Sequence, residues 1–271
     1  MKQYLKILGI SVGFIILFEL MQFIFIVISY AVLTVEYIIN HGALNVGHIQ
    51  YTFLKNAPLI SIIGDSGLIL AFIIIYSYTK KGLIKRCKFK SFNLKYLIYI
   101  VILILGVSFF IDTIINIINS NSNIYFKAQE LLLRSNNSLL GILITVIIIP
   151  ILEEIIFRGI VFNEIRDKIN IKASIIFQAL IFCICYMDLV QGLYAFILGV
   201  VLGYIYKVTN SLWCNIIAHI LFNIFGGFLI PLVLSFTGVY KVLNMILGIS
   251  LMLIGVYFIY RENKNIVKIN N

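Results

Sequence analysis

The sequence contains little charge for its length. Only 12% of its 271 residues are Asp, Glu, Lys or Arg, whereas 62% are hydrophobic, and the mean hydropathy is +1.07. Water-soluble domains are about 25% charged and about 45–50% apolar. This small number of charged side chains cannot cover a surface in water. The composition therefore excludes a soluble globular protein and predicts an integral membrane protein.

Cysteine is also scarce, and its spacing is not that of a metal site. The four cysteines are Cys87, Cys183, Cys185 and Cys214, and none is spaced from the next as zinc ligands usually are. Cys183 and Cys185 lie two residues apart in an apolar run, so on a helix they face different directions. Buried small side chains are the expected role of all four.

Acidic residues are outnumbered by basic ones, 11 to 21, which gives a net charge of +10. The basic residues cluster between apolar runs, most clearly in "TKKGLIKRCKFKSFNLK" (79–95), which contains no acid. This pattern is the lysine and arginine bias of cytoplasmic loops, so we expect a lipid bilayer and no nucleic acid as partner. The same bias places both termini on the cytoplasmic side of the cell membrane.

The apolar runs predict an all-α, polytopic membrane protein with about eight transmembrane helices, each about 20 residues long. The first run is longer than the apolar region of a signal peptide, so it is interpreted as a retained helix. The polar segment 119–138 predicts an interfacial helix, and the last eleven residues predict a solvated tail. The eight expected spans are 5–33, 57–78, 96–118, 138–158, 173–188, 189–206, 211–231 and 242–260.

The fourth and seventh spans carry polar residues that are costly in a bilayer. The fourth contains "PILEEIIFRG", with Glu153, Glu154 and Arg158, and each such side chain costs about 2.5–3.5 kcal/mol at a helix centre. Glu154 and Arg158 are i, i+4 and share a face of an α-helix. The seventh span contains "NIIAHILFN", in which His219 and Asn223 have the same spacing.

These residues leave three interpretations open. A carboxylate and a histidine are the minimum for activating water, by general base catalysis or by metal ligation. Alternatively, Glu154–Arg158 is a buried ion pair within a structural network. A proton or ion path through Glu19, Asp65, Glu153 and His219 is the third interpretation, although the chain lacks the inverted halves typical of transporters.

The motifs "EEIIFRG" (153–159) and "HILFN" (219–223) resemble those of the CAAX-protease and bacteriocin-processing (CPBP, or Abi) family of intramembrane proteases. The likeness covers residues 141–226. It implies an endopeptidase acting on a membrane-associated peptide or protein, with its catalytic core in 138–231. Transmembrane helices and the interfacial segment would then form 1–137, and the last helix and tail 232–271.

The resemblance also implies roles for single residues. Glu153 would activate water, Glu154 would assist it or hold Arg158, and His219 with Asn223 would stabilise the oxyanion. Glu153 and His219 would alternatively ligate a divalent metal such as zinc.

One position departs from the family pattern. Its second motif places a histidine four residues after phenylalanine, and here Phe182 is followed at that distance by Tyr186. A phenol titrates near 10 and is mainly a proton donor at neutral pH, unlike an imidazole. Because Tyr186 is a poor zinc ligand, a tight zinc site is less expected. The alternative function is a catalytically weak or silent member, acting as a membrane binding or regulatory protein or in bacteriocin immunity.

Overall fold

The structure is a computed structural model that describes residues 2–78, 82–118, 139–186, 188–237 and 241–269. The interfacial helix predicted for 119–138 and the last two residues of the predicted tail lie outside the described residues. The described part of that tail continues the last helix.

The described part of the chain is built from helices, which confirms the all-α, polytopic class. In chain order they are α1 (Lys2–His41), α2 (Val46–Lys55), α3 (Ala57–Ser77), α4 (Leu83–Cys87), α5 (Lys95–Ile118), α6 (Leu139–Arg166), α7 (Ile171–Cys185), α8 (Leu189–Thr209), α9 (Leu212–Ile224), α10 (Ile230–Thr237) and α11 (Lys241–Ile269).

Seven stretches of the described chain are long and apolar enough to cross a bilayer: α1, α3, α5, α6, α8, the stretch Leu212–Val233 and α11. The expected fifth span, 173–188, corresponds to α7, which has 15 residues and ends at Cys185. At 1.5 Å per residue it is about 22 Å long, against about 30 Å for a hydrocarbon core. Tyr186 therefore lies at the end of a short helix and not inside a full span.

Three stretches of these helices are π-helical. Two of them, Ile144–Ile148 and Ile155–Phe162, lie within α6, and the third, Phe225–Leu229, joins α9 to α10. Pro150 follows the first stretch and, having no backbone N–H, cannot complete the α-helical ladder. Arg158 lies in a π-helical stretch, so the α-helical i, i+4 rule applied to it in the sequence does not hold there. Such stretches occur frequently at functional sites.

By their contacts, the residues divide into two compact units. The first comprises Met1–Leu83 and Asn123–Ile156, and the second comprises Ile84–Ser122 and Phe157–Asn271. The division falls within the second π-helical stretch of α6. The functional boundaries expected at 138 and 231 stay a prediction.

In the first unit, α3 packs against α1 and against the Ile144–Glu154 part of α6. Asp65 of α3 is only 3% exposed, and its Oδ1 accepts a hydrogen bond of 2.8 Å from Gln22 Nε2 of α1. Gly64 makes this contact possible, because a Cβ there would lie 2.6 Å from Gln22 Oε1. Asp65 is therefore a buried hydrogen-bonding residue of the first unit.

The second unit contains two closely packed helix pairs, α5 with α11 and α7 with α8. Small residues allow the approach of α7 and α8, since a Cβ on Gly192 would lie 3.0 Å from Cys183 O and one on Gly199 would lie 2.9 Å from Ala179 Cβ. Small residues that let backbones approach are typical of helix interfaces in membranes. This pairing fixes the position of α7, which carries Phe182 and ends next to Tyr186.

Candidate active site

The aromatic ring of Phe182 is the centre of the candidate site in the second unit. It is 1% exposed and meets the ring of Tyr186 edge-on with 5.3 Å between centroids. The His219 ring lies 6.2 Å away, also edge-on, and the Arg158 guanidinium carbon lies 5.1 Å from the centroid. Three of the six predicted site residues thus border one side chain.

Arg158 is held by α7 and α8. It is 0% exposed, and its Nη2 donates to Gly199 O at 3.3 Å. Gln178 Nε2 donates to the same carbonyl oxygen at 2.6 Å. A desolvated cation over an aromatic ring gains about 2 kcal/mol, so Phe182 contributes to keeping this charge buried. Arg158 is accordingly well suited to a structural role.

His219 and Asn223 lie on α9, one helical turn apart. His219 is 2% exposed and Asn223 is half-buried. Next to them, Phe222 lies 6.5 Å from the ring of Tyr194 on α8, which in turn lies 6.0 Å from the ring of Tyr186. Aromatic contacts therefore connect α7, α8 and α9 around the histidine.

Tyr186 caps the C-terminus of α7 and is half-buried. In the expected spans, Tyr186 lies near the end of 173–188, whereas His219 lies near the middle of 211–231. The structure brings both residues to the same phenylalanine, because α7 is short and its last turn packs against α9 through Phe182. The position that holds a histidine in the family motif therefore still borders the predicted site.

Glu153 and Glu154 belong to the first unit, at the end of the α-helical part Ile149–Glu154 of α6. Glu154 is 0% exposed and Glu153 is half-buried. The convergence of these carboxylates with His219 stays a prediction.

The residues do not fit a predicted zinc site. In the ranges that the structure describes, no group of three or more His, Cys, Asp or Glu side chains could hold a metal ion. Catalytic zinc usually has three protein ligands, and Glu153 and His219 alone are two. No step of the proposed chemistry is therefore assigned to a metal.

Asn163 is an important residue that the sequence analysis missed. It is 2% exposed, and its Nδ2 donates to the carbonyl oxygens of Arg158, Gly159 and Arg86 at 3.0, 2.9 and 3.0 Å. It also lies 3.1 Å from Tyr206 Oη. A polar residue at the end of an apolar run, such as Asn163, could have been predicted to be buried and hydrogen-bonded. Gln178, inside "SIIFQALIF", could have been predicted in a similar way.

The fold and these buried polar residues define a class of protein, namely multi-pass, all-α membrane proteins with ionisable side chains on their apolar helices. Residues 135–225 match the family model described as "Type II CAAX prenyl endopeptidase Rce1-like". Over this segment the chain is similar to the CAAX-protease and bacteriocin-processing family, the family that its motifs resemble.

A curated relative shows a similar partial likeness. The chain is 36% identical over 86 residues to the Bacillus subtilis (strain 168) protein named "Putative membrane peptidase YdiL". The match covers 32% of this chain and 35% of the relative, about a third of its length. No solved structure matches the chain.

Proposed function

We propose that this protein is an intramembrane endopeptidase that hydrolyses a peptide bond of a membrane-associated peptide or protein with glutamate-activated water. The main support is the arrangement of Arg158, Tyr186 and His219 around Phe182 within a segment that matches a membrane endopeptidase family. Ionisable side chains are costly inside an apolar helix bundle and often mark functional sites.

In this proposal Glu153 takes a proton from water while the oxygen of that water attacks the peptide carbonyl carbon. His219 and Asn223 donate hydrogen bonds to the oxyanion that forms, and one such donor is typically worth about 3–4 kcal/mol of barrier. The C–N bond then breaks as Glu153 returns its proton to the departing amine. Glu154 assists Glu153, and Arg158 fixes α6 against α7 and α8. Tyr186 keeps its proton and donates a hydrogen bond from its hydroxyl group to the oxyanion.

A second candidate function is a catalytically silent relative that binds a membrane peptide. Tyr186 favours it, because a phenol cannot accept a proton as the family's histidine would. The rings that surround Tyr186 give it a packing role that needs no catalysis. Such a protein would act by binding, in regulation or in immunity to a bacteriocin.

Purified protein in nanodiscs, incubated with quenched leader, membrane-anchored and prenylated CAAX peptides, tests the first function. We expect cleavage, detected by mass spectrometry, and a loss of about 10²-fold or more in kcat for Glu153→Gln and His219→Ala. Glu36→Gln is the matched control, since Glu36 is an exposed carboxylate on α1. Equal cleavage by wild type and Glu153→Gln would contradict the proposed base.

Tyr186→His separates the two functions. If the wild type is an active enzyme that uses its tyrosine, the substitution changes the pH profile without a large gain in turnover. A gain of 10²-fold or more from a barely active wild type would identify a silent member. Photo-crosslinking to a membrane peptide that persists in Glu153→Gln would support the binding function.

A further inference from the structure

One end of the second unit carries far more positive than negative charge. This end contains the C-termini of α6 and α8, the N-terminus of α9 and the loop between α4 and α5. The acids there are already paired, since Arg86 contacts Glu164 at 2.7 Å and Asp167 at 3.3 Å. Lys168 contacts the same glutamate at 2.9 Å. These acidic residues are thus satisfied, and the charge of Lys88 and Lys90 in the loop is left in excess.

The ammonium group of Lys88 is fixed in place. Its Nζ donates to Asn210 Oδ1 at 2.5 Å and lies 6.0 Å from the centroid of the Tyr206 ring. Its carbonyl oxygen accepts from Leu212 N at 3.1 Å. A surface lysine is normally mobile, whereas this one is held by the turn between α8 and α9.

The backbone at both partners is in an uncommon conformation. Lys88 has φ +53° and Asn210 has φ +51°, and no other non-glycine residue in the described ranges has a positive φ. A left-handed lysine costs free energy that an asparagine largely avoids, and such strain concentrates at functional sites. The two residues with positive φ are therefore the same two whose side chains are hydrogen-bonded to each other.

The surroundings of Lys88 disfavour its charge in the absence of an anion. Burial and, after it, the positive charges of Arg166 and Lys90 lower the pKa of Lys88 from 10.5 to about 8, against the opposite effect of Asp167. The Arg166 guanidinium lies over the Phe162 ring at 5.9 Å, and its Nη2 lies 3.7 Å from Asp167 Oδ1, so its repulsion of Lys88 is only partly offset. A bound anion would relieve this repulsion.

An aromatic pair marks this end as the level of lipid headgroups. Trp213, the only tryptophan of the chain, lies at the start of α9 and is 46% exposed. Its ring lies 5.2 Å from that of Phe89, which adjoins Lys88. Exposed tryptophans are enriched where a membrane protein meets the headgroups, so lipid phosphate is available at this position.

We propose that Lys88, Lys90 and Arg166 bind the phosphate group of an anionic phospholipid such as phosphatidylglycerol. Lys88 provides the fixed ammonium donor, which Asn210 orients, and Lys90 and Arg166 supply further positive charge. Trp213 and Phe89 contact the glycerol and upper acyl region of the same lipid. Basic pockets on helical membrane proteins recognise anionic lipids by this chemistry.

Native mass spectrometry of the full chain, titrated with phosphatidylglycerol or phosphatidylcholine, tests the site. Lys88→Asn removes the charge but tolerates the left-handed backbone, and each basic residue near an anionic surface contributes about fivefold in affinity. We therefore expect about fivefold weaker binding of phosphatidylglycerol and unchanged binding of phosphatidylcholine. Lys90→Asn, at an exposed position, is expected to act in the same direction.

Two variants control for charge and for folding. Lys55→Asn removes the same charge from an exposed position in the first unit and is expected to leave lipid binding unchanged. Lys88→Arg keeps the charge and is expected to retain most of the selectivity. Equal phosphatidylglycerol binding by Lys88→Asn and Lys55→Asn would overturn the proposal.

The source of the phosphate is tested in the same titration. Inorganic phosphate at matched concentration is expected not to displace phosphatidylglycerol, because it lacks the acyl and glycerol contacts. Displacement by inorganic phosphate alone would contradict a lipid site. In a ¹³C-methyl lysine spectrum, phosphatidylglycerol is expected to shift the Lys88 titration to higher pH, and an unchanged titration would also count against the site.

Discussion

The rings of Phe182 and His219 meet edge-on, with 6.2 Å between their centroids and 84° between their planes. This contact joins α7 to α9 in the second unit. Edge-to-face pairs are worth about 0.5–1.5 kcal/mol beyond their burial. The orientation of the histidine therefore depends on a phenylalanine that takes no part in the proposed chemistry.

Phe182→Ala is expected to destabilise the protein strongly. The side chain is 1% exposed and contacts Phe157, Tyr186, His219 and Arg158, so its loss leaves a cavity at the site. Buried Phe→Ala changes cost about 3–5 kcal/mol. Thermal unfolding in one detergent would measure this, with Ile184→Ala, 51% exposed on the same helix, as the control. Equal melting temperatures would contradict the central role of Phe182.

Asn163→Ala is expected to lower the free energy of unfolding. The amide donates to three carbonyl oxygens, and buried acceptors that lose their donor cost about 1–3 kcal/mol. Denaturant unfolding of the reconstituted protein measures the change. Asn40→Ala, at an exposed position on α1, is expected to be neutral, and a neutral Asn163→Ala would show that the network carries little stability.

Gly159→Ala is expected to disturb the second unit through Cys87. A Cβ at Gly159 would lie 2.5 Å from Cys87 Sγ, so the Cys87 side chain or α4 must shift, at a cost of about 1–3 kcal/mol. The double variant with Cys87→Ala is expected to recover part of this loss, which a double-mutant cycle measures. Gly13→Ala has open space around its Cβ and serves as the control. No recovery in the double variant would exclude the clash as the cause.

Lys88 is expected to titrate near pH 8. Burial and neighbouring positive charges lower its pKa from 10.5 to about 8, so the folded state loses this proton while the unfolded state retains it. The free energy of unfolding should therefore rise as the pH increases from about 8 to 10.5.

The measurement is a pH titration of the ¹³C-methyl lysine resonance of Lys88 in protein free of anionic lipid. The resonance is assigned by its absence from the spectrum of Lys88→Asn. Unfolding of wild type and Lys88→Asn at pH 7.5 and 10 gives the stability difference, which should change in favour of the wild type at the higher pH. A Lys88 resonance that titrates above pH 10 would contradict the prediction.

Much of the fold could be predicted from hydropathy. The all-α class and most of the spans depend only on runs of apolar residues. In a bilayer the backbone of such a run must satisfy its own hydrogen bonds, and an α-helix does so within one segment. The expected fifth span, 173–188, was already short, but its end was not predicted as Cys185, since hydropathy does not show where a helix ends. The π-helical stretches were not predicted either, as they depend on backbone hydrogen bonds and not on side-chain polarity.

The likeness to the family and the candidate site residues also came from the sequence, because the motifs "EEIIFRG" and "HILFN" resemble those of the family and place costly polar groups in apolar runs. Only the tertiary structure decided that Arg158, Tyr186 and His219 share Phe182, and that Lys88 meets Asn210. Sequence specifies which residues each helix carries. Which side chains meet is decided by how closely the helices pack, and here glycines such as Gly199 set that distance.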